Sequence, residues 1–283
     1  MVENTPSRTA EIVALMRALE YVYNKEKSII GDKYAVRFLS KRYLAVFNRL
    51  AMAPDFISFF VNASTWGLFD YVSLRHAFID GFVRKYAEKM PVILLGAGYD
   101  SRALRFASVL KQGIWELDFP ATQRRKKFIL RTEPIQNENL HFCEVDFMHH
   151  SLADILDENK IPRKNALIIW EGVSMYVTED VVRSTIHEIG NHFGSGSTLI
   201  FDYWHDASRD PFQRFVQTFL PYLMDWMYGE RFIFASSSHE LRDLSLNAGA
   251  KTFESNSAKQ MMKKLSLTSR LPLESASVAV VGY

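Results

Sequence analysis

One cysteine, Cys143, is all that the 283 residues contain. That excludes an intramolecular disulfide and any zinc site built of cysteines alone, and it fits a reducing compartment. Charge of one sign is equally scarce, since 34 Lys and Arg stand against 32 Asp and Glu for a formal net charge of +2. Near-neutrality removes the electrostatic reason to expect nucleic acid or an anionic membrane as a partner. No apolar run approaches the roughly 20 residues that span a bilayer. The first 20 residues show no basic stretch leading into an apolar one of secretory length. Internal repeats, low-complexity blocks and Pro/Gly/Ser linkers are missing too. What is present is 48% hydrophobic and 23% charged, enough to bury a full core. The expectation is a soluble, cytoplasmic, single-domain protein of unspecified oligomeric state. Its parts would be a helical cover over 1–90, a core over 91–202, an insertion over 203–235 and the rest of the core over 236–283.

The hydrophobic pattern says which core. Ile12, Leu15, Met16, Leu19, Val22 and Tyr23 recur at helical spacing, and a second long helix is predicted over about 68–89. From Pro91 the texture changes to short apolar runs at 92–95, 114–117, 140–145, 167–170, 199–201, 251–254 and 278–281. Runs of that kind suit strands covered on both faces, as in a parallel α/β sheet. Between them, Thr178 is placed to cap a helix over 179–193. Ser237 and Glu240 have capping-box spacing ahead of a helix over 239–247. Seven strands alternating with helices predict a doubly wound sheet. The stretch 203–234 breaks the rhythm with Tyr203, Trp204, Phe212, Phe215, Phe219, Tyr222, Trp226 and Tyr228. It reads either as buried helix or as a lid over a pocket.

Chemistry enters at the strand ends. The first strand runs into Gly96-Ala97-Gly98, where backbone can approach a ligand without a Cβ in the way. The next strand ends in Asp118, about where a ribose hydroxyl would be held. Together they point to an adenosine-type cofactor. A dinucleotide fingerprint needs a third glycine where Ser101 stands, which weakens NAD. S-adenosylmethionine (SAM) carries no phosphate and asks instead for a carboxylate partner, a ribose acid and an adenine slot. Arg75 falls within the buried stripe Leu68, Val72, Ile79, Val83 and Tyr86, so it requires an anion, either a protein acid or the cofactor's carboxylate. Asp146 and Phe147 follow the third strand and suit an adenine amino group and ring face. Glu171 ends the fourth strand, at the ligand-binding edge of such a sheet.

Gly96-Ala-Gly-Tyr-Asp-Ser-Arg102, Glu116-Leu-Asp-Phe-Pro120, Asp146, Glu171-Gly-Val-Ser-Met-Tyr176 and Ser73-Leu-Arg75-His-Ala-Phe-Ile-Asp80 resemble, in order and spacing, the leucine carboxyl methyltransferase family. That family includes polyketide O-methyltransferases of the tetracenomycin type. The resemblance covers nearly the whole chain from about Ile29. It implies a Rossmann-like class I SAM fold with an N-terminal helical cover and a variable lid. It further implies that Arg75 holds the SAM carboxylate, Gly96, Ala97 and Gly98 line the methionyl portion, and Asp118 holds the ribose. Asp146 with Phe147 would contact adenine, and Glu171 would lie beside the SAM amino group. Lys25 or Lys27 would assist Arg75. Ser101 replaces the family's usual threonine, and Lys33 a usual proline.

The implied activity is methyl transfer to a carboxylate or hydroxyl oxygen of a small-molecule or peptide-like acceptor. A carboxylate needs no base at pH 7, whereas a phenol would benefit from one. Tyr203 and His205, read as lying just past the fifth strand, are candidates for a base or an acceptor contact, and Tyr176 for a further acceptor contact. No histidine pair has metal-ligand spacing, so no metal is expected. Two other readings stand beside this one: an NAD(P)-dependent oxidoreductase on the same fold, and a non-catalytic SAM-binding protein.

Overall fold

The computed structural model describes residues 6–52, 57–131, 138–147, 151–163, 165–205 and 211–283. The cover contains α1 (Arg8–Asn24), α2 (Lys41–Ala51), α3 (Ile57–Ser64) and α4 (Leu68–Tyr86). The core then runs β1 (Val92–Leu95), α5 (Arg102–Arg105), β2 (Ile114–Asp118), α6 (Pro120–Leu130), β3 (Leu140–Glu144), α7 (Leu152–Glu158), β4 (Leu167–Trp170), α8 (Glu179–Phe193) and β5 (Thr198–Trp204). It closes with α9 (Pro211–Tyr228), α10 (Ser238–Asn247), β6 (Thr252–Ser257), α11 (Ala258–Lys264) and β7 (Ala276–Gly282). One seven-stranded sheet results, in the order β3-β2-β1-β4-β5-β7-β6.

Strands β1 to β5 pair in parallel, as their apolar runs predict. β7 does not. It slots between β5 and β6 and runs antiparallel to both. Its apolar run gave no sign of this, because a strand buried on both faces looks alike in either direction. Edge strands β3 and β6 are mostly half-buried or exposed, with one buried residue each, Cys143 and Asn256, since an edge of each meets solvent.

Side-chain alternation divides the core. Ile93, Leu95, Leu117, Ile168 and Leu199 face α8 and α10, while Val92, Leu94, Ile169 and Ile200 face α4 and α11. Burying each such side chain contributes about 1.5–3 kcal/mol. Helix α1 lays Leu15, Met16 and Leu19 on Phe69 and Val72 of α4, which brings the cover onto the sheet's C-terminal edge. The capping box Ser237–Glu240 forms as read. Thr178 occupies the N-cap of α8, although its side chain makes no capping bond.

Helix α9 lies in the insertion. It buries Val216 and Leu220 and leaves Phe215, Phe219, Tyr222 and Trp226 exposed. The expected aromatics Phe212 and Tyr228 lie outside the described side chains. Among the described residues, no helix is long and apolar enough to cross a membrane.

Candidate active site

A cavity of about 460 Å³ opens at the C-terminal ends of β1, β2 and β4. The glycine turn forms one wall. Gly96 has φ +72°, and a Cβ there would come within 2.4 Å of the Val173 side chain. Gly98 has φ +49°, and a Cβ would lie 3.2 Å from Ala10 of α1. Only glycine combines these dihedrals with such close neighbours. The amides of Gly96 and Ala97 both donate to Leu117 O, at 2.8 and 3.0 Å.

Asp118 closes the next wall. Its carboxylate accepts from Gly98 N and, at 2.6 Å, from Phe119 N. Burial outweighs these bonds and pushes its pKa up to about 6. Two residues back on the same face, Glu116 pairs with Lys126 at 2.6 Å. Burial still pushes Glu116 up to about 7 despite that cation. Asp146 and Phe147 line the cavity beyond the end of β3.

Below them lies a buried ionic network. Arg75 Nε donates to Glu171 Oε1 at 2.9 Å and Nη1 to Asp202 Oδ2 at 2.5 Å. Arg102 donates to Asp80 at 2.7 Å, Asp100 at 2.5 Å and Glu171 Oε2 at 2.7 Å. Arg105 continues it to Asp80 at 2.5 Å and approaches Asp32 at 4.0 Å. Arg17 of α1 donates to Asp32 at 2.8 Å and to the carbonyl of Tyr99 in the glycine turn at 2.6 Å.

His76 joins Glu171 (Nδ1, 3.1 Å) to Arg105 (Nε2, 2.9 Å). A guanidinium can only donate, so Nε2 is an acceptor and the ring is neutral, with its proton on Nδ1. Burial and the nearby Arg102 lower the His76 pKa in the same sense. Burial alone would raise Glu171, yet the hydrogen bond from His76 and the Arg102 and Arg75 guanidiniums hold its carboxyl well below the ordinary range. Four guanidiniums (Arg17, Arg75, Arg102, Arg105) thus face five carboxylates (Asp32, Asp80, Asp100, Glu171, Asp202). The network carries one acid in excess.

Several expectations need correction. Arg75 spends Nε and one N–H of Nη1 on protein acids. That leaves three of its five N–H groups, one on Nη1 and two on Nη2, without a hydrogen bond among the described residues. Lys25 and Lys27 are exposed and line nothing in the cavity, whose arginines beside Arg75 are Arg17 and Arg231. Arg17 was unreadable because it lies opposite the apolar stripe of α1 and looks solvated.

Tyr203 is not past β5 but within it, since β5 pairs with β7 through Trp204. Strand alternation turns it away from Asp202, into the core, where its hydroxyl meets Ser255 Oγ at 2.8 Å. It does not line the cavity. Nor does His205, whose Nε2 lies 2.9 Å from Ser277 Oγ. Tyr176 does line it, beside Thr9 and Glu230. Glu230 was missed as well. It accepts from Ser7 Oγ, Arg8 N, Thr9 N and Thr9 Oγ1, tying the turn after α9 to the start of α1. Among the described residues no cluster of His, Cys, Asp and Glu could hold a metal ion.

A sheet in this order, with one antiparallel strand and a glycine turn after β1, defines a Rossmann-like methyltransferase fold. It matches over 98% of this chain and 95% of the other a structure from Thermobifida fusca YX provisionally named a methyltransferase, with a TM-score of 0.58 at 14% identity. The model of the leucine carboxyl methyltransferase family matches residues 10–190, and the chain belongs to that family.

The provisionally named S-adenosyl-L-methionine-dependent methyltransferase YktD of Bacillus subtilis (strain 168) is 32% identical over 39% of this chain and 37% of its own length. The S-adenosyl-L-methionine-dependent methyltransferase dpfgK of Gibberella zeae is 24% identical over 62% of this chain and 58% of its own. The chain thus spans between about a third and three fifths of these relatives.

Proposed function

We propose that this protein is a SAM-dependent methyltransferase acting on an oxygen of a small-molecule or peptide-like acceptor. The observation that carries the reading is the cavity's anionic surplus: Asp100, Asp118, Asp146, Glu171 and Glu230 line it against Arg17, Arg75 and Arg231, with Asp118 in the wall bonded only to backbone amides. SAM brings an ammonium and a sulfonium against one carboxylate, a net positive charge. A dinucleotide brings phosphates, which such a surface repels.

In this reading the N–H groups that Arg75 has left on Nη1 and Nη2 contact the cofactor carboxylate. Glu171 has about four lone-pair sites and three donors on them, which leaves room for the ammonium. Gly96 to Gly98 pass beneath the methionyl chain, Asp118 takes the ribose, and Asp146 with Phe147 takes adenine.

When bound, SAM supplies an activated methyl group. The chain's own work is to orient both partners and exclude water, which accounts for most of what such a transfer needs. The acceptor oxygen would approach beside Tyr176. A carboxylate acceptor would need no proton removed, and no buried base would then be required.

Calorimetry with SAM, its demethylated product S-adenosylhomocysteine (SAH) and NAD tests the cofactor. Micromolar binding of the first two and none of NAD is expected, while NAD binding with SAM ignored would overturn the proposal. Methyl transfer from labelled SAM across free acids and phenols separates an enzyme from a mere binder. Transfer to carbon or nitrogen alone would defeat the oxygen assignment.

A further inference from the structure

A second cavity, of about 360 Å³, lies between α9 and the end of β5. It meets the first at Ile233, which lines both. The partition is thin. Phe232 packs edge-on against Tyr176 of the first cavity, with centroids 5.0 Å apart, and against Trp204 of the second, at 5.2 Å.

Two residues of the second cavity's wall each carry a buried donor with no hydrogen-bond partner, the indole Nε1 of Trp204 and the side-chain Nε2 of Gln217. Trp204 is only 4% exposed. Buried N–H groups are almost always paired, so two orphans on one cavity wall point to an acceptor from outside the chain. Among the described residues, the walls offer no carboxylate that would compete with it. The remaining surface mixes the apolar Pro221, Phe232, Ile233 and Phe234 with the polar His205, Arg214 and Thr218.

We propose that this second cavity seats the far end of the methyl acceptor, and that this end is a carboxylate or carbonyl on a flat apolar body, held by Trp204 Nε1–H and Gln217 Nε2–H. This rests on the methyltransferase reading. The acceptor would cross the partition at Ile233 and present its reacting oxygen beside Tyr176. Selectivity would follow, because a site built to donate two hydrogen bonds rejects an analogue with nothing to accept them.

The test uses the full chain, ¹⁵N-labelled and saturated with SAH. The Trp204 indole resonance is assigned by its loss in Trp204→Phe. Benzoate and acetophenone should both move it downfield, whereas toluene, with no acceptor, should leave it in place. Their relative affinities tell carboxylate from carbonyl. Gln217→Leu should weaken the oxygen-bearing probe by roughly tenfold, the equivalent of one good hydrogen bond, with SAH affinity unchanged. This variant, at a half-buried position, carries the test if Trp204→Phe loses the fold.

SAH bound normally with no indole response to either oxygen probe overturns the inference alone, as does toluene moving the resonance equally. Failure of SAH to bind the parent protein overturns the methyltransferase reading and this inference with it.

Discussion

The floor and the roof of the first cavity are built on opposite terms. The floor is ionic and sealed: Arg102 and Asp80 are fully buried, and each charge is held by two or three others. The roof is the start of α1 and the turn after α9, joined by the partly exposed carboxylate of Glu230. Helix α9 behind it shows a stripe of aromatics to solvent. Charges that have given up water can be held only by one another, so no member of the floor can change alone. Surface aromatics have no such obligation. The floor therefore sets what can be bound and whether the chain folds, and the roof is where variation costs little.

The most damaging way to probe this difference is Arg102→Met. It leaves Asp80, Asp100 and Glu171 without their shared cation, and breaking a buried pair by removing one partner costs about 3–5 kcal/mol. Denaturant unfolding should show a loss of that order. A loss below about 1 kcal/mol would mean the floor is hydrated and the contrast false.

Next in size is Asp118, where stability and binding should move in opposite directions with pH. Burial raises the folded pKa of Asp118 to about 6 and of Glu116 to about 7, above their ordinary values. A raised folded pKa means stability that is full below the unfolded pKa and lost as pH rises through the folded one. The ligand-free protein should therefore gain stability through these two groups as pH falls from 8 to 5. If Asp118 takes the ribose as proposed, binding needs it ionised, and SAH affinity should fall over the same range, most steeply near pH 6. Asp118→Ala should weaken SAH by roughly 1–3 kcal/mol and flatten that fall. Parallel pH trends in melting and calorimetry would remove Asp118 from the ribose.

How much of this could be read beforehand follows the same division. Gly96, Gly98, Asp118, Asp146 and Glu171 stood at strand ends, where local sequence alone places a residue on the sheet's edge, and all line the cavity. Arg75 showed its need for an anion, but nothing local said that Glu171 and Asp202 would meet it. Asp202 lay hidden because the apolar run stops at Phe201, and it is pairing with β7, 72 to 84 residues on, that carries the strand through Trp204. That one shortened strand also misplaced Tyr203. Arg17, Asp32 and Glu230 were invisible because only tertiary contact buries or engages them. The antiparallel β7 was hidden for the same reason. Periodicity reports burial, whereas direction and partnership belong to the assembled sheet.

Glu230 gives a smaller effect. Its carboxylate lies at the N-terminus of α1, where the amides of Arg8 and Thr9 donate to it. Such a contact contributes about 0.3–1 kcal/mol in a partly exposed setting. Glu230→Gln keeps the shape and removes the charge, so it should barely move the melting temperature. Faster SAH release, read by stopped-flow, is the expected sign of a loosened roof. An unchanged release rate would show that the clasp does not gate the cavity.

The smallest effect should come from the outer face of α9. Tyr222 and Trp226 are 65% and 73% exposed, and neither makes an aromatic contact with another described ring, whereas Phe215 and Phe219 lean on Trp66 at 6.3 and 5.4 Å. Surface substitutions that disturb no cap, pair or packing usually stay within about 0.5 kcal/mol. Tyr222→Gln with Trp226→Gln should therefore leave unfolding free energy and SAH affinity where they were, even though it removes two large apolar side chains. Tyr222, two residues past the inward-facing Leu220, and Trp226, about one turn further on, lie on the opposite face of the same helix, which thus provides its own control. Leu220→Ala, on the buried face, should cost about 2–5 kcal/mol by opening a gap against the core. If the outer pair proves as costly as Leu220, the stripe is covered in solution, and the roof is bound by packing as firmly as the floor is by charge.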